Sequence, residues 1–117
     1  MVKKKFKKII ETYNKNINST NEFKKVLWSS QKSMDNRMKF LIKKIDKLKF
    51  RSWIDIGCGT GRLFELIKNV KYKNIQIYGL DFNKNLINLC KKKKFKYKFK
   101  FLNKNIIDYK NKKFDLV

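Results

Sequence analysis

Three of the four glycines in this chain of 117 residues stand at alternate positions in one segment, Trp53-Ile54-Asp55-Ile56-Gly57-Cys58-Gly59-Thr60-Gly61. The segment begins as a short apolar run and is followed by apolar residues at helical spacing, which predicts a strand that turns sharply into a helix. Glycine suits such a turn because it tolerates positive φ and leaves the backbone bare for a ligand. Unpaired amides at the start of the helix would then favour polar or anionic ligand groups. A tight connection without a ligand is the alternative, but it seldom needs three glycines in five residues.

The pattern from Ser52 onward alternates between strands and helices. It predicts helices over 61–70 and around Leu86–Cys90, and strands over 53–56, 75–80 and 95–102 with a fourth from Phe114. Strands separated by helices form a parallel sheet with helices on both faces. The predicted fold class is therefore α/β, a Rossmann-like parallel sheet with flanking helices. A chain of this length has room for about four strands of such a sheet.

Residues 1–50 are predicted to be an N-terminal helical extension, and residues 51–117 the α/β domain. Apolar residues recur at helical spacing in three stretches of the extension, Phe6–Ile17, Phe23–Leu27 and Met34–Leu48. The first stretch is basic and amphipathic, so it would lie on a membrane surface, on RNA or on the domain that follows. So short a helix needs tertiary support, which favours the last interpretation.

The formal charge of +23, from 32 basic and 9 acidic residues, suggests nucleic acid or an anionic membrane as a partner. The rest of the composition weakens that inference. The chain contains 29 lysines but only three arginines, and it has no alanine, proline or histidine. This pattern is typical of an AT-biased genome. Much of the positive charge therefore reflects the composition of the genome and does not indicate a function.

The two cysteines indicate a reducing environment. Cys58 lies in the glycine turn and Cys90 in a predicted helix, so neither belongs to a structural disulfide or a metal set. We therefore expect a cytoplasmic protein without a bound metal. No apolar run approaches the ~18 residues of a membrane span.

The third predicted strand alternates aromatic residues with lysines over 94–101. Such a pattern could stack on bases and hold phosphates, which supports a second hypothesis, a basic nucleic-acid-binding module without catalysis. Alternation with period two also describes an edge strand with one packed face and one lysine-rich face. The edge strand is the favoured interpretation, because no glycine-aromatic RNA-binding signature accompanies the pattern.

Two acidic residues stand near the carboxyl ends of the first two strands, where parallel sheets bind ligands. Asp55 is near the end of the first strand, and Asp81 ends the second, 20 residues after Gly61. This spacing is close to that of an acid that meets a ribose hydroxyl, although Asp81 could instead cap the next helix. Dinucleotide-binding turns need a small residue where this chain has Arg62, so NAD and FAD are disfavoured.

Three segments resemble successive motifs of the class I S-adenosylmethionine-dependent methyltransferases, namely 55–61, the Gly79-Leu80-Asp81 element, and 101–106 leading to 114–117. The resemblance extends from about Met34 to the end of the chain. A looser similarity covers Trp28-Ser29-Ser30-Gln31 and Arg37, which resemble the helix before the domain in some small-molecule methyltransferases.

The resemblance implies S-adenosylmethionine as the cofactor and methyl transfer as the activity. The methionine part would lie on the glycine turn, at Gly57, Cys58, Gly59 and Gly61. Its amino group would lie near Asp55 and its carboxylate near Arg37. The nucleoside would have its ribose hydroxyls on Asp81, its adenine against Phe82 and its adenine edge on Asn105 and Ile106. The family commonly has aspartate at the position of Asn105, but asparagine still offers an acceptor oxygen.

A sulfonium methyl group is already a strong electrophile, so such an enzyme mainly aligns an acceptor atom and excludes water. The chain has no histidine, so the commonest general base is absent. No catalytic residue is identified, and the expected methyl acceptor is a small molecule or RNA.

The family's sheet has seven strands, whereas this chain ends at Val117 in the fourth. Leu116 and Val117 would then lie on an unpaired apolar edge. Three expectations follow: an interrupted reading frame that leaves an inactive remnant, a partner chain that supplies the missing strands, or self-association through the open edge.

Overall fold

The computed structural model describes residues 2–15, 30–110 and 113–117. Two helices come first, α1 (Val2–Lys15) and α2 (Gln31–Ile45). The rest of the chain alternates strands and helices, in the order β1 (Ser52–Ile56), α3 (Arg62–Glu65), β2 (Gln76–Asp81), α4 (Lys84–Lys92) and β3 (Lys100–Asn103). Short 3-10 helices cover Val70–Asn74 and Ile106–Asp108.

The three strands form one parallel sheet in the order β1-β2-β3. Trp53 of β1 stands opposite Ile77 of β2. On its other edge β1 receives Leu116, whose carbonyl accepts from the Ile54 amide at 3.0 Å, so that a parallel bridge forms between Trp53 and Leu116. The predicted Rossmann-like parallel sheet is therefore confirmed, and the fourth predicted strand is present as this bridge.

Aromatic rings fill the core between the sheet and the helices. Phe64 is 2% exposed, stacks on Phe99 with ring centroids 4.6 Å apart, and meets Trp53 edge to face at 5.4 Å. Stacked and edge-to-face rings stabilise a core beyond the area they bury. Apolar residues of α2, α3 and α4 complete the cluster, namely Ile42, Ile45, Leu63, Ile87 and Cys90.

β3 is shorter than predicted, because it begins at Lys100 and not at Phe95. The alternation of the preceding residues survives without strand pairing, with the lysines of 94–100 exposed and the rings between them half-buried. Phe95 packs on Phe99 and Phe101, with ring centroids 5.2 and 5.5 Å away. Ring burial at the end of the sheet therefore outweighs the extra ladder hydrogen bonds. β3 is an edge strand among the described strands, as predicted.

α3 ends at Glu65, well before the predicted end at Val70. The chain leaves the helix because Ile67, 2% exposed, enters the core, and because the Asn69 side chain accepts from the Lys71 amide at 3.0 Å to begin the first 3-10 helix. These core and capping contacts replace a second helical turn.

α2 begins at Gln31, three residues before the predicted start of its apolar stripe. Ser30 explains the earlier start, because its side chain caps the helix by accepting from the Ser33 amide at 3.0 Å. The predicted helix around 23–27 and the end of the first stretch at Ile17 lie outside the described residues. None of the helices within the described ranges is both long and apolar enough to cross a membrane.

Candidate functional site

The glycine turn joins β1 to α3 at the carboxyl edge of the sheet. Gly57, Gly59 and Gly61 have φ values of +77°, +57° and +79°, the left-handed region that glycine adopts without strain. The amides of Gly57 and Cys58 both donate to the carbonyl of Leu80, at 2.7 and 3.1 Å. The turn is therefore fixed on the end of β2 and does not depend on a ligand for its shape.

Two further amides of the turn also have partners within the protein. The Gly59 amide donates to Asp81 Oδ2 at 3.0 Å, and the Gly61 amide donates to the Cys58 carbonyl at 3.0 Å. The amides of these glycines are therefore not available to an anion, and α3 is too short to add a strong dipole. The expectation for the first amides of α3 stays a prediction. The turn instead offers space, because a Cβ on Gly57 would find no heavy atom within 4 Å.

Two cavities flank Gly57. The first, named here the Arg37 cavity, measures about 250 Å³ and is lined by Arg37, Met38, Leu41, Asp55, Gly57, Cys58 and Leu63. The second, named the Asp81 cavity, measures about 200 Å³ and is lined by Ile56, Gly57, Leu80, Asp81, Phe82, Lys104, Asn105, Ile106 and Ile107. One bent ligand that passes over Gly57 would reach both.

The Arg37 cavity places one carboxyl group and one guanidinium on opposite elements, Asp55 on β1 and Arg37 on α2. Burial raises the pKa of Asp55 to about 6, and the nearby Asp81 carboxylate adds to the rise. An ionised Asp55 is therefore costly until a cation approaches it. The cavity is suited to a zwitterion, with its cationic end at Asp55 and its anionic end at Arg37.

The Asp81 cavity has an apolar wall that faces water. Ile56, Ile106 and Ile107 are 40%, 44% and 63% exposed and lie together at its rim. Large aliphatic side chains exposed as a group mark a surface that binds an apolar or flat aromatic partner. The Phe82 ring lies in the same lining.

Asp81 connects the two halves of the site. It is 7% exposed, and its oxygens accept from the amides of Gly59 at 3.0 Å and Asn83 at 2.9 Å. Burial raises its pKa, and hydrogen bonds from the backbone amides of Asn83, Gly59 and Phe82 oppose the rise. A carboxylate has about four acceptor positions, so Asp81 can hold the turn and still accept from hydroxyl groups. The helix-cap alternative is wrong, because Asn83 caps α4.

Eight of the ten predicted site residues line one or both cavities, and two do not. These two are Gly59, whose amide contact with Asp81 stabilises the turn, and Gly61. Gly61 packs against the core, where a Cβ would be 3.1 Å from Phe95 and 3.4 Å from Cys90. Asn105 uses its side-chain oxygen to accept from the Ile107 amide at 3.1 Å. Its other lone pair and its amide nitrogen are left for a ligand.

The apolar lining of both cavities was not predicted from the sequence. These residues are Met38, Leu41 and Leu63 on one side, and Ile56, Leu80 and Ile107 on the other. Met38 and Leu41 belong to a helical stripe that predicts core packing, yet Leu41 is 46% exposed. The position of Ile56 and Leu80 at strand ends was the available signal, since ligands bind beyond the carboxyl ends of parallel strands.

Both cysteines are free thiols, and both are buried. Cys90 Sγ donates to the Gly59 carbonyl at 3.1 Å, under the turn. A hydrogen bond with Cys90, followed by burial, raises the pKa of Cys58 far above its usual range. Both thiols therefore pack beneath the turn, and the raised pKa makes Cys58 a poor nucleophile at neutral pH.

A larger depression of about 1310 Å³ lies at the opposite, amino end of the strands, beside Ser52 and Gln76. Two of the four charged residues that line it, Lys71 and Asp115, are held by contacts within the fold. Lys71 Nζ donates to the carbonyls of Ile45, Asp46 and Leu48 at 2.8–2.9 Å, and Asp115 accepts from the Arg51 amide at 2.8 Å. The depression is a packing seam, and the candidate site is the pair of cavities at Gly57.

The base-stacking hypothesis requires free aromatic faces along 95–101. Phe95, Phe99 and Phe101 instead pack on one another and on Phe64. The rings are therefore used by the core, and nothing in the described residues or in the comparisons below supports a nucleic-acid-binding module.

Comparison with protein families gives one match. A family model described as a methyltransferase domain matches residues 48–117. The matched range contains both strands that carry the acids, the glycine turn and most of the two cavities. None of the curated proteins matches the chain.

Solved structures give a second, independent likeness. The plantazolicin methyltransferase BpumL in complex with a monoazolic desmethylPZN analog and SAH is 21% identical, with a TM-score of 0.52 over 99% of this chain and 49% of that one. The complex with a triazolic analog and SAH is 21% identical, with a TM-score of 0.50 over 92% and 45%. The chain thus spans about half the length of these proteins. At this identity the likeness shows a shared fold.

Proposed function

This chain belongs to the methyltransferase domain family, and we propose that it binds S-adenosylmethionine across Gly57 and takes part in methyl transfer. The family predicted from the sequence motifs is thereby confirmed. The observation that carries the proposal is the pair of cavities on either side of Gly57, one with an acid and a guanidinium, the other with an apolar rim and Asp81. Residues 51–117 are the proposed cofactor-binding part, and residues 1–50 a helical extension.

The amino-acid part of the cofactor is assigned to the Arg37 cavity. Its ammonium group would pair with Asp55, and its carboxylate with Arg37. A bound ammonium lowers the cost of ionising Asp55, whose pKa burial has raised to about 6. Ligand binding and deprotonation of Asp55 therefore support each other.

The nucleoside part is assigned to the Asp81 cavity. The remaining acceptor positions of Asp81 would take the ribose hydroxyls, while the rim of Ile56, Ile106 and Ile107 would cover the adenine ring. Phe82 and Asn105 belong to the same lining and are assigned to the adenine ring and its edge. SAH, a molecule with the same nucleoside, is bound in the BpumL structures.

The bound cofactor supplies a sulfonium methyl group that is already electrophilic. The residues described here would bind it, orient it and keep water from part of its surface. The proposed acceptor is a small molecule rather than RNA, because the rings of 95–101 that would stack on bases are held in the core. The two buried free thiols are consistent with a reducing compartment, for which we propose the cytoplasm.

Isothermal titration of the 117-residue chain with SAH and S-adenosylmethionine tests the assignment. We expect binding by the wild type, and a Kd raised by about 10-fold or more in Asp81→Asn, since a charge-assisted acceptor is lost. Asp115→Asn makes the same chemical change at the far end of the strands and should leave the Kd within about 2-fold. Absence of binding at millimolar ligand, by protein with a folded circular dichroism spectrum, would reject the site.

A further inference from the structure

An ion pair joins the helical extension to the glycine turn. Arg62 directly follows Gly61, and its Nη2 and Nε donate to the two carboxylate oxygens of Asp35 at 2.8 and 3.0 Å. Gln31 Nε2 donates to the same carboxylate at 2.9 Å. The Asp35 and Arg62 side chains are only 15% and 24% exposed. A two-pronged contact of this kind fixes orientation as well as distance.

The ion pair joins α2 to α3, because Asp35 is on α2 and Arg62 begins α3. Residues two positions apart lie about 200° apart around a helix, so Asp35 and Arg37 are on opposite flanks of α2. Met34 of α2 is 0% exposed, so this face of α2 packs against the rest of the protein. One flank is thus tied to α3 by Asp35, and the other lines the Arg37 cavity with Arg37 and Leu41.

We propose that Asp35 and Arg62 are positioning residues, whose ion pair holds α2 so that Arg37 stays over its cavity, and that they thereby set the affinity for the amino-acid part of the cofactor. This inference rests on the proposed function, which assigns that part to the Arg37 cavity. The Asp81 cavity contains no residue of α2. Loss of the Asp35–Arg62 ion pair therefore weakens binding of the amino-acid part of the ligand and leaves binding of the nucleoside part unchanged.

The pair can be broken without leaving a buried charge alone. Arg62 Nη1 also lies 3.7 Å from Glu65 Oε2, so the guanidinium keeps an acidic neighbour when Asp35 is neutral. Asp35→Asn keeps the size of the side chain and a partner for Gln31. The variant is therefore expected to fold, which circular dichroism and a thermal midpoint would verify.

The experiment compares two ligands by isothermal titration of the full chain. SAH carries the amino-acid part, and 5′-methylthioadenosine has the same nucleoside and thioether without it. Asp35→Asn should raise the Kd for SAH by about 10-fold and change that for 5′-methylthioadenosine by less than about 2-fold. Arg62→Lys should give the same split, because an ammonium cannot reproduce the two-pronged contact. Glu11→Gln, an exposed carboxylate on α1, is the matched control.

The exchanged pair, Asp35→Arg with Arg62→Asp, should recover SAH affinity to within about 3-fold if the contact itself matters. Equal weakening of both ligands, or an unchanged Kd for SAH, would overturn the inference while leaving the proposed function intact. Failure of the wild type to bind SAH would reject the proposed function and this inference with it. If Asp35→Asn does not fold, Arg62→Lys decides between these outcomes.

Discussion

Gly57 stands between the two cavities, and Gly57→Ala adds one methyl group to the space that a bound cofactor would cross. Apart from Gly57 itself and its two chain neighbours, no heavy atom lies within 4 Å of the new Cβ, so the methyl group makes no clash in the free protein. The backbone is the only source of strain, because φ is +77°. The substitution therefore separates the effect on folding from the effect on binding.

The cost to folding is small. A left-handed alanine costs roughly 1–2 kcal/mol, and the stiffer unfolded chain returns about 0.4–1 kcal/mol. The net loss is about 1 kcal/mol, which lowers the Tm of a domain of this size by roughly 4–8 °C. For binding, a methyl group in an occupied space acts as overpacking, about 1–3 kcal/mol. We expect the Kd for SAH to rise about 10- to 100-fold.

Gly79→Ala is the matched comparison with the opposite signature. Its Cβ would be 2.9 Å from Phe101 Cδ1 and 3.0 Å from both Cys58 Sγ and Phe64 Cε2, all in the core. Overpacking there costs about 2–3 kcal/mol, or a Tm decrease of roughly 10–15 °C. Scanning calorimetry and titration with SAH would measure both variants. A Gly57→Ala protein that binds SAH as the wild type does would refute the reasoning, because the ligand would then not cross Gly57.

Four further outcomes are expected. The pKa of Asp55 is raised from 3.8 to about 6 in the folded chain, so its contribution to stability is fully present below pH 3.8 and is lost as pH rises from there through 6. Asp55→Asn should remove that decrease, on the order of 2 kcal/mol, in thermal unfolding between roughly pH 4 and 7. An unchanged slope would contradict it. SAH affinity of the wild type should increase over the same pH range, because the ligand's ammonium selects ionised Asp55. Iodoacetamide should label Cys58 at least about 100-fold more slowly in the folded chain than in urea, by mass spectrometry, because the thiol is buried with a raised pKa; equal rates would show that the turn opens readily. Lys96→Ser with Lys98→Ser should leave SAH affinity within about 2-fold, because neither residue lines the two cavities, and a larger loss in titration would place the basic segment in the site.

The local pattern of the sequence was sufficient for the elements that carry the site. A short apolar run and a cluster of glycines predicted β1 and its turn, and the apolar stripe of 86–90 predicted α4. Asp55 and Asp81 were placed at strand ends by counting alone, and the structure sets both beside Gly57. These features depend on neighbours in sequence, which periodicity reports directly.

The same pattern failed where distant residues compete for one segment. α3 ends early because Ile67 enters the core and Asn69 caps the next turn. The ladder of β3 starts late because the ring of Phe95 packs on Phe99. In each case a tertiary contact outweighed the local preference for a longer helix or strand, which is a weak preference by comparison.

The order of strand, glycine turn and helix, and the acids at the strand ends, were fixed by the chain's own periodicity, because each depends on residues a few positions apart. Only the tertiary structure decided that amides of the turn donate hydrogen bonds to Leu80 and Asp81. It also decided that Asp35 pairs with Arg62, 27 positions away in the sequence. Hydrogen bonds and ion pairs of this kind depend on distances in space, which are set when the core packs.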